Sequence, residues 1–492
     1  ITAQTPVRVS GPRAHIEHVR NFMVSRWDTA GAMARGTLNN CGHGKTPWGT
    51  YLGCEENWAY YFQTTGAGAA LSANEVASRK RYGVAAAAPA AGAKKAASQG
   101  WHTVSTTDDR FTRWNLAALG ANAEKDFRNE ANTFGFIVEI DPLAPNSTPA
   151  KRTAMGRFAH EAAVCSLPVA GQPLAFYMGC DSRNEYIYKF VSTAVWDPRD
   201  VGGGLVAGDK YLSEGKLYAA RFDATGQGEW LELTIADPRI ANHMAYKFAN
   251  QGDVYVNARF AADAVGATKM DRPEWITVHP ATNEVYCALT NNSGRSAAAT
   301  DAANPRAANR FGQIVRWREA GDDAAALAFD WDLFVIAGNP NVYAADDLNA
   351  GSSNIDSSNT FNSPDGIGFD ADGRLWIQTD GNFSNTGVYA GQGNNKMLCA
   401  DPATGEIRRF LVGPSGCEIT GLTFTPDGRT MFINVQHPGE VGSHPNRPTP
   451  PAGVSMDDYV AANPLAFSQW PDPAGGRPRS ATVIVTKNDG GV

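Results

Sequence analysis

The residues able to do chemistry are densest in residues 40–58, NCGHGKTPWGTYLGCEENW. There a thiol (Cys54), two adjacent carboxylates (Glu55, Glu56) and an amide (Asn57) follow a Pro-Trp-Gly turn and a short strand. Thiolate and carboxylate together are ligand chemistry for a redox-capable or borderline metal. The same residues also read as a reduced cysteine in a core strand beside two solvated glutamates. Five further carboxylates stand just ahead of strand-like runs: Glu161 (MGRFAHEAA), Asp181 (YMGCDSRNEYIYKF), Glu274 (MDRPEWITV), Asp365 (FNSPDGIGFD) and Glu418 (GCEITGLTF). Taken singly, each is a turn-capping residue. Taken together, carboxylates gathered in low dielectric cannot all ionise without cations, so their convergence implies bound metal, more than one ion.

What must position these residues is a succession of hairpins. WITVHPATNEVYCAL (275–289), IGFDADGRLWIQTD (367–380), MLCADPATGEIRRFLV (397–412) and LTFTPDGRTMFINV (422–435) share one design, and FGFIVEIDP (134–142) supplies a further first strand. Asp-Gly and Asn provide the positive φ that tight hairpin loops require. Clear helical periodicity is scarce. Similar hairpins, unevenly spaced by insertions, predict an all-β chain and a β-propeller, with a double β-sandwich as the alternative. We expect one domain over residues 1–492, with insertions at 66–130 and 438–476 and short helices in the loops. In a propeller, equivalent strand ends converge on a central channel, which would bring the distant carboxylates together.

Composition excludes several classes. The chain has 492 residues, 43% hydrophobic and 19% charged, with a formal net charge of −7. No basic cluster is present, so nucleic acid and anionic membrane are poor partners. No apolar run approaches the roughly 20 residues of a transmembrane helix. The alanine-rich stretch 83–97 is broken by Pro89 and reads as a surface linker. The chain starts at Ile1 rather than Met, which puts any export signal outside it. Seven cysteines include no C-x-x-C pair, which argues against a zinc ribbon or thioredoxin site, and the odd count leaves a thiol unpaired, Cys54 by our reading. GHGKT (42–46) imitates the end of a P-loop, but Asn39 stands where the first Gly belongs and Pro47 follows instead of a helix. DADG (370–373) lacks the Glu that closes an EF-hand loop. There is neither H-E-x-x-H nor G-x-S-x-G. The best-placed histidines, His160 and His437, read as supporting residues rather than ligands.

Six segments, in order from about residue 37 to 440, resemble the PhoX-type alkaline phosphatases. They are NCGHGKTPWGTYLGCEENW, GRFAHEAA, YMGCDSRNEYIYKF, RPEWITVHP, FNSPDGIGFD-x-x-GRLW and EITGLTFTPDGRTMFINVQHPGE. The first and last are the most specific. The resemblance implies a six-bladed propeller and an exported, periplasmic or secreted, monomeric phosphomonoesterase acting on small phosphate esters. It implies two oxide-bridged Fe³⁺ with two or three Ca²⁺, and no covalent Ser or His intermediate. The metal ligands carried over are Cys54, Glu55 (or Glu56), Glu161, Glu274, Asp365 and Glu418, with Asp181 at a neighbouring calcium. Arg272 is the natural partner of a phosphate oxygen, because a guanidinium grips it in bidentate fashion; Lys45 is a second candidate. On this reading Cys54→Ala and Glu161→Ala abolish colour and activity. The chain departs from the family at Gly53 (where Thr is expected), at Gly366 (Asn) and at Cys180 (an acidic residue), the last bearing on a peripheral calcium. Two alternatives remain: a calcium-dependent propeller hydrolase of lactonase or phosphotriesterase type, and a non-enzymatic, calcium-stabilised binding propeller.

Overall fold

The structure is a computed structural model that describes residues 2–66, 68–84, 99–472 and 476–489. Most of the alanine-rich stretch 83–97 lies outside these residues. The chain is mostly β and propeller-like, and it divides into two compact units. One comprises Ile1–Phe222, Gly228–Lys269 and Glu319–Phe329; the other comprises Asp223–Gln227, Met270–Arg318 and Asp330–Val492.

In the first unit, strands Asn40–Lys45, Tyr51–Glu55, Ile137–Ile140 and Ala150–Arg152 form an antiparallel meander. Pro6–Ser10 extends it in parallel to Ala150–Arg152, and Met33–Arg35 closes that edge. A second meander runs through Val164–Cys165, Pro173–Gly179, Ile187–Val195, Gly215–Phe222 and Gln227–Glu232. Pro173–Gly179 (PLAFYMG) is buried on both faces after its first residue, as its unbroken apolar run demands. The core of this unit joins Leu52, Ile137, Phe158, Phe176, Met178 and Tyr188 to the buried faces of short helices such as Ala258–Val265.

In the second unit, Pro273–Val278, Val285–Leu289 and Gln313–Glu319 pair antiparallel. Pro364–Phe369, Leu375–Thr379, Lys396–Ala400 and Ile407–Val412 form a four-stranded meander. Glu418–Phe424, Thr430–Gln436 and Ala481–Thr486 form a three-stranded one. Each hairpin read from the sequence is present. Gly373 (φ +82) and Gly428 (φ +68) occupy the left-handed positions of their Asp-Gly turns, where any side chain would be strained. Ala481–Thr486 alternates half-buried and exposed residues, the period-two pattern of an outer strand with one covered face. Among the described residues, no strand falls within 66–130 or 438–476; helices Ala73–Arg81 and Met456–Ala462 lie there instead.

Candidate metal centre

The segment richest in chemistry folds as a bulged hairpin. Asn40 pairs with Glu55 and His43 with Gly53, and the register shifts between them, so Cys41 and Gly42 occupy a bulge. Such a bulge re-aims side chains at a strand end. The turn at the far end is pinned inside the unit: the fully buried Trp48 donates from Nε1 to Glu139 at 2.8 Å, and the Thr50 hydroxyl donates to the same carboxylate at 2.6 Å. GHGKT is therefore a strand, and its glycines have a packing reason. A Cβ on Gly42 would overlap the carbonyl oxygen of Glu161, and one on Gly44 that of Ala163. The 159–163 segment is laced in by backbone bonds from His160 N to Glu55 O (3.0 Å), Glu161 N to Gly179 O (3.1 Å) and Asp181 N to Ala159 O (3.0 Å).

This lacing brings Cys41 Sγ and carboxylate oxygens of Glu56 and Glu161 within 4.8 Å of one another, a spacing that could hold a metal ion. Glu161 is fully buried and Glu56 nearly so. Cys41 is exposed, so the group opens to solvent on the thiol side; two carboxylates and a thiol so close still favour a cation among them. The donor set mixes hard oxygen and soft sulfur, which fits iron better than calcium alone.

The adjacent residues Cys54 and Glu55 have other partners as well. Glu55 is fully buried, and Lys151 Nζ lies 2.7 Å from its Oε1 and 3.0 Å from its Oε2. Its Oε2 also accepts from the backbone N–H of Gly135 (2.9 Å) and Phe136 (3.2 Å). Lys151 further donates to Thr133 O at 2.6 Å and sits 4.0 Å over the Phe134 ring. Glu55 thus carries a buried structural ion pair. Cys54 is fully buried in the apolar core, and burial, then Glu161, Glu55 and Glu56, push its thiol well above the usual range. His160 stacks on Phe158 at 3.6 Å between centroids and bonds Gly156 O at 2.9 Å; burial lowers it to about 3, so its ring is neutral.

Asp181 is buried beside Cys180, whose sulfur accepts from Arg259 Nη2 at 3.1 Å. Nothing in that contact explains a thiol rather than a carboxylate at this position. Lys45 lies four residues along its strand from Cys41, roughly 13 Å at the usual rise. It pairs with Tyr51 across the hairpin, and its charge, after burial, helps lower His43 to about 4.

In the second unit, Glu274 and Asp365 are buried and offer carboxylate oxygens within 4.8 Å of each other. Both follow a proline at the start of a strand, and both lie where the register shifts: between Pro273 and Ile276, and between Pro364 and Ile367. Arg272 holds a left-handed backbone (φ +58), and its Nη2 lies 3.1 Å from Glu274 Oε1. A non-glycine residue in that region is a strained conformation of the kind that collects at functional sites. A further group in this unit joins Asp380, Glu418 and His437 within 4.8 Å. Glu418 Oε2 accepts from Gln436 Nε2 at 2.7 Å and lies 3.5 Å from His437 Nε2, while His437 Nδ1 lies 3.1 Å from Glu440. The bond to Glu418, above all, raises His437 to about 9.

Sequence reasoning passed over Cys41 and Asp380 and gave His437 only a supporting part. For Cys41 the register gave no signal: it sets Asn39 opposite Glu56, whose N–H donates to Asn39 O at 3.0 Å, and leaves Cys41 in the bulge across from Cys54, so only the bulge brings its sulfur near Glu56.

A sequence profile of the family described as alkaline phosphatase PhoX matches residues 1–439. The structure of Pseudomonas fluorescens PhoX in complex with vanadate, a transition state analogue, is 44% identical over 100% of this chain and 76% of that one, with a TM-score of 0.80. A gluconolactonase from Xanthomonas campestris matches 61% of this chain and 62% of its own at 12% identity and a TM-score of 0.24, which carries no argument. No curated protein matches.

Proposed function

Since the chain belongs to the alkaline phosphatase PhoX family and is a phosphatase, we propose that it hydrolyses phosphate monoesters at a di-iron centre completed by calcium, without a covalent enzyme intermediate. The observation that carries this reading is the full-length likeness to a relative in complex with vanadate, joined by the Cys41–Glu56–Glu161 group, whose donors suit iron. We assign Cys41, Glu56, Glu161, Glu274, Asp365 and Glu418 as metal ligands, with Asp181 at a calcium. We prefer Cys41 and Glu56 to Cys54 and Glu55 as ligands, because Glu55 is paired with Lys151 and Cys54 lies among core side chains, its thiol facing the charge of Glu161.

When bound, such ions supply Lewis-acid charge that offsets the phosphate dianion and the developing charge on the leaving oxygen. The chain's own part is positioning. Arg272 presents two parallel N–H groups to phosphate oxygens, and Glu274 beside it restricts the guanidinium's direction. Its left-handed backbone is tied into the sheet by the bond from Thr290 N to Arg272 O, so little ordering remains to be done on binding. The buried bulges hold the ligand carboxylates before any ion arrives. Among the described residues, no helix is long and apolar enough to cross a membrane, and we place the protein as a monomer in the periplasm or outside the cell.

Elemental analysis of the as-purified protein, beside its visible spectrum and hydrolysis of p-nitrophenyl phosphate, tests this. About two irons per chain, calcium, a thiolate-to-iron band and monoester hydrolysis are expected. Hydrolysis by a colourless, iron-free protein would overturn the di-iron assignment, and calcium with lactone rather than phosphate hydrolysis would overturn the substrate.

A further inference from the structure

The second unit contains a cavity unconnected with the chemistry above. It has a volume of about 720 Å³ and opens between the turns at 370–374 and 425–430, the strand Ile407–Val412 and the end of Ala481–Thr486. Asp365, at the start of its strand, is five residues from Asp370, roughly 17 Å at the usual rise. The cavity therefore lies at the opposite strand ends from Asp365, Asp380, Glu418 and His437. Its volume is that of a small-molecule site.

Its floor is aromatic. Trp376 meets Phe410 edge-on (4.9 Å between centroids, 80°) and lies 6.2 Å from Phe424. The indole is fixed, because its Nε1 donates to Asp370 at 3.0 Å. Phe410 is 44% exposed, which a core side chain has no reason to be. The rim is cationic: five basic side chains, Arg409 and Arg429 among them, line the cavity against three acidic ones. Arg374 is engaged by two of those acids, Asp370 and Asp372, and Arg408 by Glu406, so the positive excess rests on Arg409, Arg429 and Lys487 against Asp427. A local excess of positive charge on a chain of net charge −7 is a selective feature, since the surface as a whole repels anions.

We propose that this cavity binds a small organic anion with a flat aromatic body, the rings lying against Trp376 and Phe410 and the charge meeting Arg409 and Arg429. Flat rings suit the exposed phenyl face, and a guanidinium pair suits a carboxylate, sulfonate or phosphate head. The site is separate from the hydrolytic centre and stands whether or not the iron assignment does.

The test is a fluorescence titration of the metal-loaded enzyme with anilinonaphthalene sulfonate, which has this shape and charge. Saturable binding of about one probe per chain is expected, weakened roughly tenfold or more by Arg409→Glu with Arg429→Glu and by Phe410→Ala, with hydrolysis of p-nitrophenyl phosphate unchanged in each variant. Equal affinity in the variants and the parent would overturn the proposal. So would concentration-dependent dimerisation that the charge reversals abolish, because a second copy would then be the occupant.

Discussion

Exchanging Glu55 and Glu56 separately for glutamine separates structure from ligation at two adjacent positions. Glu55 and Lys151 are both fully buried, with two N–O contacts of 2.7 and 3.0 Å. In Glu55→Gln the amide oxygen still accepts from Gly135 or Phe136, but Lys151 keeps its charge with no counter-charge. Breaking one side of such a pair costs about 3–5 kcal/mol. Burial already lowers the Lys151 pKa, and losing Glu55 lowers it further. The deficit should therefore shrink as pH rises and the amine sheds its proton. Glu56→Gln removes one of two carboxylates crowded beside Cys41. In the metal-free chain that change is neutral or stabilising, because a like charge has gone. In the loaded enzyme it should reduce metal content and lower kcat/KM on the order of a hundredfold or more. Urea unfolding of both variants at pH 7 and pH 9, with metal content and p-nitrophenyl phosphate hydrolysis measured on the same preparations, gives the answer. Metal loss at wild-type stability in Glu55→Gln, with a fully loaded and active Glu56→Gln, would refute the assignment.

The two cysteines offer a parallel contrast. Cys41→Ser is expected to lose the thiolate band and most activity. Cys54→Ala, a core truncation, is expected to cost about 1 kcal/mol and keep its metal, read by elemental analysis beside thermal unfolding. Lys396 gives a pH dependence. It is nearly fully buried and donates to the carbonyls of Thr360 (3.1 Å) and Gln392; burial, with Arg409 adding to it, lowers it to about 7. Because the folded pKa lies below the unfolded one, the unfolded state binds more protons between the two. Stability of the second unit should accordingly rise from about pH 7 towards pH 10, by at most about 1.4 kcal/mol per pH unit. Lys396→Met should flatten that rise in urea unfolding curves, and an unchanged slope would show that Lys396 does not cause it.

The hairpins, the residue types and the kind of chemistry were legible in the sequence, because turn chemistry and strand periodicity are local. Asp-Gly turns state their own φ requirement, and Pro-Glu-Trp and Pro-Asp-Gly announce where a strand opens. The choice of ligand was not local. Cys41 and Cys54, or Glu55 and Glu56, are chemically equivalent along the chain, and what distinguishes them is the direction each side chain takes. A bulge of one residue reverses that direction. The partner of Glu55 in its buried ion pair, Lys151, is 96 residues away. Glycine at 42 looks like a loop residue until the Glu161 carbonyl is packed against it. Amino-acid order thus determined that carboxylates and thiols stand at strand ends. Only the folded chain, through strand register and burial, decided which of them lie near one another and which meet buried counter-charges.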